Sequence, residues 1–135
     1  MTTARRPEEL YAWQLCRQLS DVVYEITEAG PCLKDFEFRD QIRAAAEGSA
    51  PLIAEGFLRF KPGEFVRYLR MACGEIAEVQ SKLDSGKGKG YFNADQQSRA
   101  EAIAQHAMAV TTLLLKSKLP LVQKKRTTKT RRRSR

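Results

Sequence analysis

Acidic residues are missing from the last twelve positions of this 135-residue chain, and those positions carry eight Lys or Arg. Residues 1–123 hold the other sixteen basic and all sixteen acidic side chains, so the whole formal charge of +8 falls on the terminus. Cysteine is scarce too. Cys16, Cys32 and Cys73 are odd in number, widely spaced and without a C-x-x-C pair. That excludes a disulfide framework and points to a reducing cytoplasm. The single histidine, His106, has no Cys or carboxylate at ligand spacing and no E-x-x-H around it. A metal or di-iron site is therefore not expected, and no cofactor is called for. The longest apolar run near the end, Val110 to Leu115, includes two Thr and is far too short to cross a bilayer. The first seven residues carry two Arg but lead into no apolar stretch, so no signal peptide is expected. No nucleophile–base pair is visible, and the chain is not expected to be an enzyme.

What is present is helical periodicity. A first helix is expected from about Glu8 to Glu28, with Pro7 at its start and Ala12, Leu15, Leu19, Val22 and Ile26 on one face. Gly30-Pro31 should end it. A second, from about Asp35 to Leu58, carries Phe38, Ile42, Ala45, Ala46 and Ile53. Pro51 lacks an N–H, so this helix should bend or break near Gly48-Ser49. A third, from about Pro62 to Leu83, places Phe65, Leu69, Ala72, Ile76, Val79 and Leu83 on an unbroken heptad seam. Ser85 to Gly90 looks too glycine-rich for regular structure, and its order of Gly and Lys does not fit a phosphate-binding P-loop. Asn93 and Gln96 form a capping box for a fourth helix from about Ala94 to Lys118, which Pro120 should stop.

The expected fold is all-α: an up-down-up-down antiparallel four-helix bundle over residues 8–119, preceded by an arm at 1–7 and followed by a disordered basic tail at 120–135. The fourth helix shows two apolar stripes. Ala100, Ile103, Ala107, Val110 and Leu114 form one; Ala104, Met108, Thr111 and Leu115 form the other. The second is either a partner surface or part of one broad core face.

A cationic run without aromatics suits a polyanion held by its phosphates, with weak sequence preference. Lys124, Lys125, Arg126, Lys129, Arg131, Arg132, Arg133 and Arg135 are its candidate contacts, the alternative being a solubilising terminus. Arg59 and Lys61 flank Phe60 at the turn between the second and third helices; with Arg43 and Arg70 they could extend the basic patch. Arg67 is favoured as an ion-pair residue instead: Glu64 lies three positions before it, and the family resemblance drawn below groups it with Glu55 and Glu64. Gly56 is expected to be a helix-end device, with the left-handed turn that glycine allows. Cys73 should pack as a small hydrophobe, and Tyr11 and Trp13 as core or interface anchors.

Two stretches resemble a known family. Gln41-Ile42-Arg43-Ala44-Ala45-Ala46 leads into Ile53-Ala54-Glu55-Gly56-Phe57. Glu64-Phe65-Val66-Arg67-Tyr68-Leu69 is followed by Ala72-Cys73-Gly74-Glu75-Ile76-Ala77-Glu78. Together they resemble the four-helix-bundle 23S rRNA-intervening sequence proteins over roughly residues 10–118, with the tail outside. Glu75 stands where the family commonly has Ser, and Pro51 sits one place later than the family proline. The resemblance implies a bacterial, cytoplasmic ring, commonly a homopentamer, with a basic surface that binds RNA rather than DNA. Five tails in such a ring would gather about forty cations and raise avidity. It also implies kinship with an accessory protein that works beside a reverse transcriptase. Two readings follow: a non-enzymatic nucleic-acid-binding oligomer, or a scaffold that recruits a protein partner such as a nucleic-acid enzyme. No membrane partner is expected.

Overall fold

The computed structural model describes residues 3–133, with side chains through residue 124. Four α-helices follow a short 3-10 turn at Pro7–Glu9: α1 (Tyr11–Ile26), α2 (Phe36–Leu58), α3 (Pro62–Gly88) and α4 (Ala94–Arg133). A second 3-10 turn, Pro31–Lys34, joins α1 to α2. Each helix packs against the next and α1 closes against α4, giving the antiparallel bundle. Among the described residues there is no strand.

Periodicity places the core. Every apolar residue read onto the faces of α1 and α2, and all six seam positions of α3, are buried. Both stripes of α4 belong to the same interior. Ala100, Ala104, Ala107 and Leu115 are buried, Thr111 is fully buried, and Ile103, Met108, Val110 and Leu114 pack against the cluster from its edge. The second stripe is therefore core; of α4's large apolar side chains, Leu113 and Leu121 remain exposed.

The ends of the helices differ from expectation in instructive ways. The first α-helix starts at Tyr11, because Pro7–Glu9 closes a separate 3-10 turn and Leu10 is extended. The assigned helix α2 runs unbroken through Pro51. Pro51 is exposed, as is Glu47 four residues before it, so the carbonyl that loses its N–H partner can be met by water. Gly56 is not a helix end. It is buried inside α2, and a Cβ there would lie 2.6 Å from the Tyr68 Cβ and 3.1 Å from Phe65. Its missing side chain lets α2 and α3 approach. The left-handed position after α2 is taken by Phe60, at φ 56°.

The glycine-rich stretch is mostly helix. The third helix continues to Gly88, and Gly86 is buried where a Cβ would meet Phe92 at 2.8 Å and Phe38 at 2.9 Å. Gly90, at φ 68°, then closes the helix: Gly90 N–H donates to the Lys87 carbonyl and Tyr91 N–H to that of Gly86. This paired closure is the glycine-dependent helix stop that satisfies terminal carbonyls. The Asn93–Gln96 box forms as expected, each side chain accepting from the other's backbone N–H, at 2.8 and 3.1 Å.

Pro120 does not stop α4: the helix continues through it to Arg133. Leu119 and Val122 lie on either side of Pro120 and pack against the core cluster, which holds the chain in helical register across it. Pro120 is exposed, so the lost backbone bond faces solvent. Cations in the last turns also suit the negative end of the helix dipole.

Candidate nucleic-acid interface

The up-down order gathers certain residues at one end of the bundle. The turn between α2 and α3 (Arg59, Phe60, Lys61), the start of α3 and the later part of α4 lie there. Lys118 of α4 marks the junction, its Nζ 5.9 Å from the Phe65 ring centre at the start of α3. From Lys118 to Arg133 the helix runs fifteen residues, roughly 22 Å at 1.5 Å per residue, away from that end. The helix that leads into the terminal cationic run thus leaves the bundle at the end where the α2–α3 turn lies. Lys124 is exposed; the side chains of Lys125, Arg126, Lys129, Arg131, Arg132 and Arg133, and all of Arg135, lie outside the described residues.

The other candidate cations divide by what they touch. Lys61 and Arg70 are exposed and make no ion pair among the described residues. Arg59 is committed: it meets the Glu55 carboxylate at 2.8 Å and the Tyr68 hydroxyl at 3.1 Å, and Tyr68 in turn donates to Glu55. Arg59, then Tyr68, hold the Glu55 carboxyl below the usual carboxylate range. Arg67 pairs with Glu64 at 3.3 Å and lies 4.9 Å from the Tyr68 ring centre. Glu55 takes Arg59 rather than Arg67 as its ion-pair partner, which refines the grouping read from the motif. Both pairs are largely exposed, so solvent screening leaves each with little effect on stability.

Arg43 is not brought to this end. Its Nε donates to Thr27 Oγ1 at 2.8 Å, and its guanidinium stacks 4.4 Å from the Tyr24 ring centre. Thr27 caps the C-terminus of α1 and is itself fully buried. A cation at that place complements the helix dipole, a structural arrangement that spacing alone did not reveal. Gly74 and Glu78 are exposed on α3, and a side chain at Gly74 would meet nothing.

The remaining chemistry-bearing groups are quiet. Cys16 and Cys32 are fully buried and Cys73 is half-buried, 4.0 Å from the Thr112 hydroxyl; burial pushes all three thiols up. His106 meets Tyr11 edge-on, with ring centres 5.3 Å apart. Tyr11 is half exposed, whereas Trp13 packs against the core. Among the described residues no cluster of His, Cys, Asp or Glu could hold a metal, and no helix is long and apolar enough to cross a membrane.

Sequence reasoning missed Phe60. It is 80% exposed, in a left-handed backbone conformation, and in contact with Phe57, 6.4 Å away between ring centres. Phe57 meets Phe65 edge-on at 6.1 Å. Its only signal in the sequence is its position between two cations at a turn.

The family model described as 23S rRNA-intervening sequence protein matches residues 8–129. The chain belongs to that family. The matched region takes in all the packed parts of the four helices and extends further than the motifs suggested, into the first half of the basic run. No curated protein matches the chain.

Proposed function

We propose that this protein is a non-enzymatic, oligomeric bundle that binds RNA, and that the cations of residues 124–135 supply most of the affinity. The observation that carries this reading is the division of charge along the chain: eight cations and no acid follow residue 123 of an electrically even body. Lys and Arg neutralise phosphates and release condensed counterions, which favours binding at low salt and weakens it as salt rises. Arg adds paired contacts to phosphate oxygens. Membership of a family named for an rRNA intervening sequence supports RNA over DNA.

The test is retention of RNA by the full chain at low ionic strength, compared with a variant in which all eight terminal Lys and Arg become Gln. Loss of retention in the variant is expected; equal retention would overturn the assignment. The apolar core cluster reaches Val122 among the described residues, so both this variant and deletion of 124–135 leave its members in place. A ring of five copies, in keeping with the family resemblance, would multiply avidity. Light scattering should return five times the 15.3 kDa chain mass, and a monomer mass would remove the avidity argument. The scaffold reading loses its motive, because the second stripe of α4 is spent on the core.

A further inference from the structure

We propose that Phe60 is a stacking platform for an unpaired nucleobase, so that the nucleic acid held at this end of the bundle is single-stranded. The inference rests on the nucleic-acid reading above and adds to it a substrate form and a contact residue. Three facts meet at Phe60. Phe60 is 80% exposed, far beyond what packing against Phe57 requires. Its backbone sits at φ 56°, a conformation in which a bulky residue is an outlier and glycine the usual occupant after a helix. Strain of this kind persists where a function needs it. Lastly, Arg59 and Lys61 flank it, and the row Phe60–Phe57–Phe65 ends at Lys118, where α4 begins its run toward the terminal cations.

An exposed ring among cations is how proteins hold single strands: charge tracks the backbone while a base stacks on the aromatic face. The terminal run has no aromatic of its own, and Phe60 supplies that missing half. The two acids nearest the turn, Glu55 and Glu64, are matched by Arg59 and Arg67, while Lys61 keeps its charge unpaired among the described residues. A duplex buries its base faces and could use only the cations.

The test compares Phe60→Ala, Phe60→Leu and Phe60→Tyr with the parent chain, by fluorescence anisotropy on a labelled single-stranded RNA and on the blunt duplex made from it. Phe60→Ala should weaken single-strand binding about tenfold and leave duplex binding unchanged. Phe60→Tyr should restore the loss and Phe60→Leu should not. Thermal unfolding checks folding, which an exposed residue should leave intact. Equal single-strand binding by Phe60→Ala, an equal loss on both RNA forms, or rescue by Leu would each overturn the stacking role. So would a fall in particle mass that accounts for the lost binding, which would make Phe60 an anchor between copies of the chain. If the parent chain binds neither RNA, the underlying reading fails as well; if it binds duplex and single strand alike with Phe60→Ala unaffected, only the stacking fails.

Discussion

At the scale of single residues, the bundle contains a carboxylate that weakens it. Glu75 lies on α3 against Gly48 of α2, where a Cβ would stand 3.3 Å from its Oε2. It is half-buried and makes no hydrogen bond or ion pair among the described residues, and burial, then the charge of Glu78, push its carboxyl up from the ordinary value. A carboxyl raised on folding is favoured in its protonated form. The folded state therefore loses stability as pH rises through the folded pKa, and is not penalised below the unfolded one. Glu75→Gln should raise the melting temperature at pH 7, and the gain should vanish near pH 4. A gain of equal size at both pH values would show that packing, not charge, is responsible. Nothing in the residue pattern marked this: Glu75 reads as one more helix-forming acid until the opposing glycine is known. Arg43 is similar, since its attachment to Thr27 joins residues sixteen apart that share no motif.

At the scale of elements, the heptad of α3 was fully legible because burial follows spacing, and Phe65 to Leu83 are buried at every seam position. The Asn93–Gln96 box was legible because both partners lie within one turn. Glycine was the ambiguous residue. Gly56 and Gly86 look like helix breakers in one dimension and are packing positions in three, because only the neighbouring helix reveals what a Cβ would strike. Their replacements should differ. At Gly56 the clash is with a Cβ, which cannot move without the α3 backbone, so Gly56→Ala should destabilise the bundle by about 1–3 kcal/mol despite the better helix propensity of Ala. At Gly86 the obstacles are the rims of the Phe92 and Phe38 rings, which can tilt, so the cost should be smaller. Chemical denaturation of the two variants checks the order; a neutral Gly56→Ala would contradict the close approach of α2 and α3. Pro120 was misread for a comparable reason. Its local preference to end a helix is outweighed by Leu119 and Val122, whose contacts are tertiary.

At the scale of the whole molecule, charge and shape are separated. The body through residue 123 carries sixteen cations and sixteen anions, and its ion pairs join neighbours on one helix, such as Arg67 and Glu64, or adjacent helices, such as Arg99 of α4 and Glu25 of α1 at 3.0 Å. The surplus is carried away from the core on α4. This division was legible from the sequence because it depends on composition alone. The extent of α4 was not, since Pro120 reads as a helix stop whereas the helix continues through it. One end of the molecule thus combines the approach to the cationic run, Lys61, which makes no ion pair among the described residues, and the exposed Phe60.

The most direct test is the salt dependence of RNA affinity, measured for the full chain and for the chain carrying Gln at all eight terminal Lys and Arg positions. If those side chains each neutralise a phosphate on a single strand, the slope of log K against log salt should be steeper in the full chain by about five to six. Parallel lines of equal affinity would contradict the claim that the terminal cations hold the RNA.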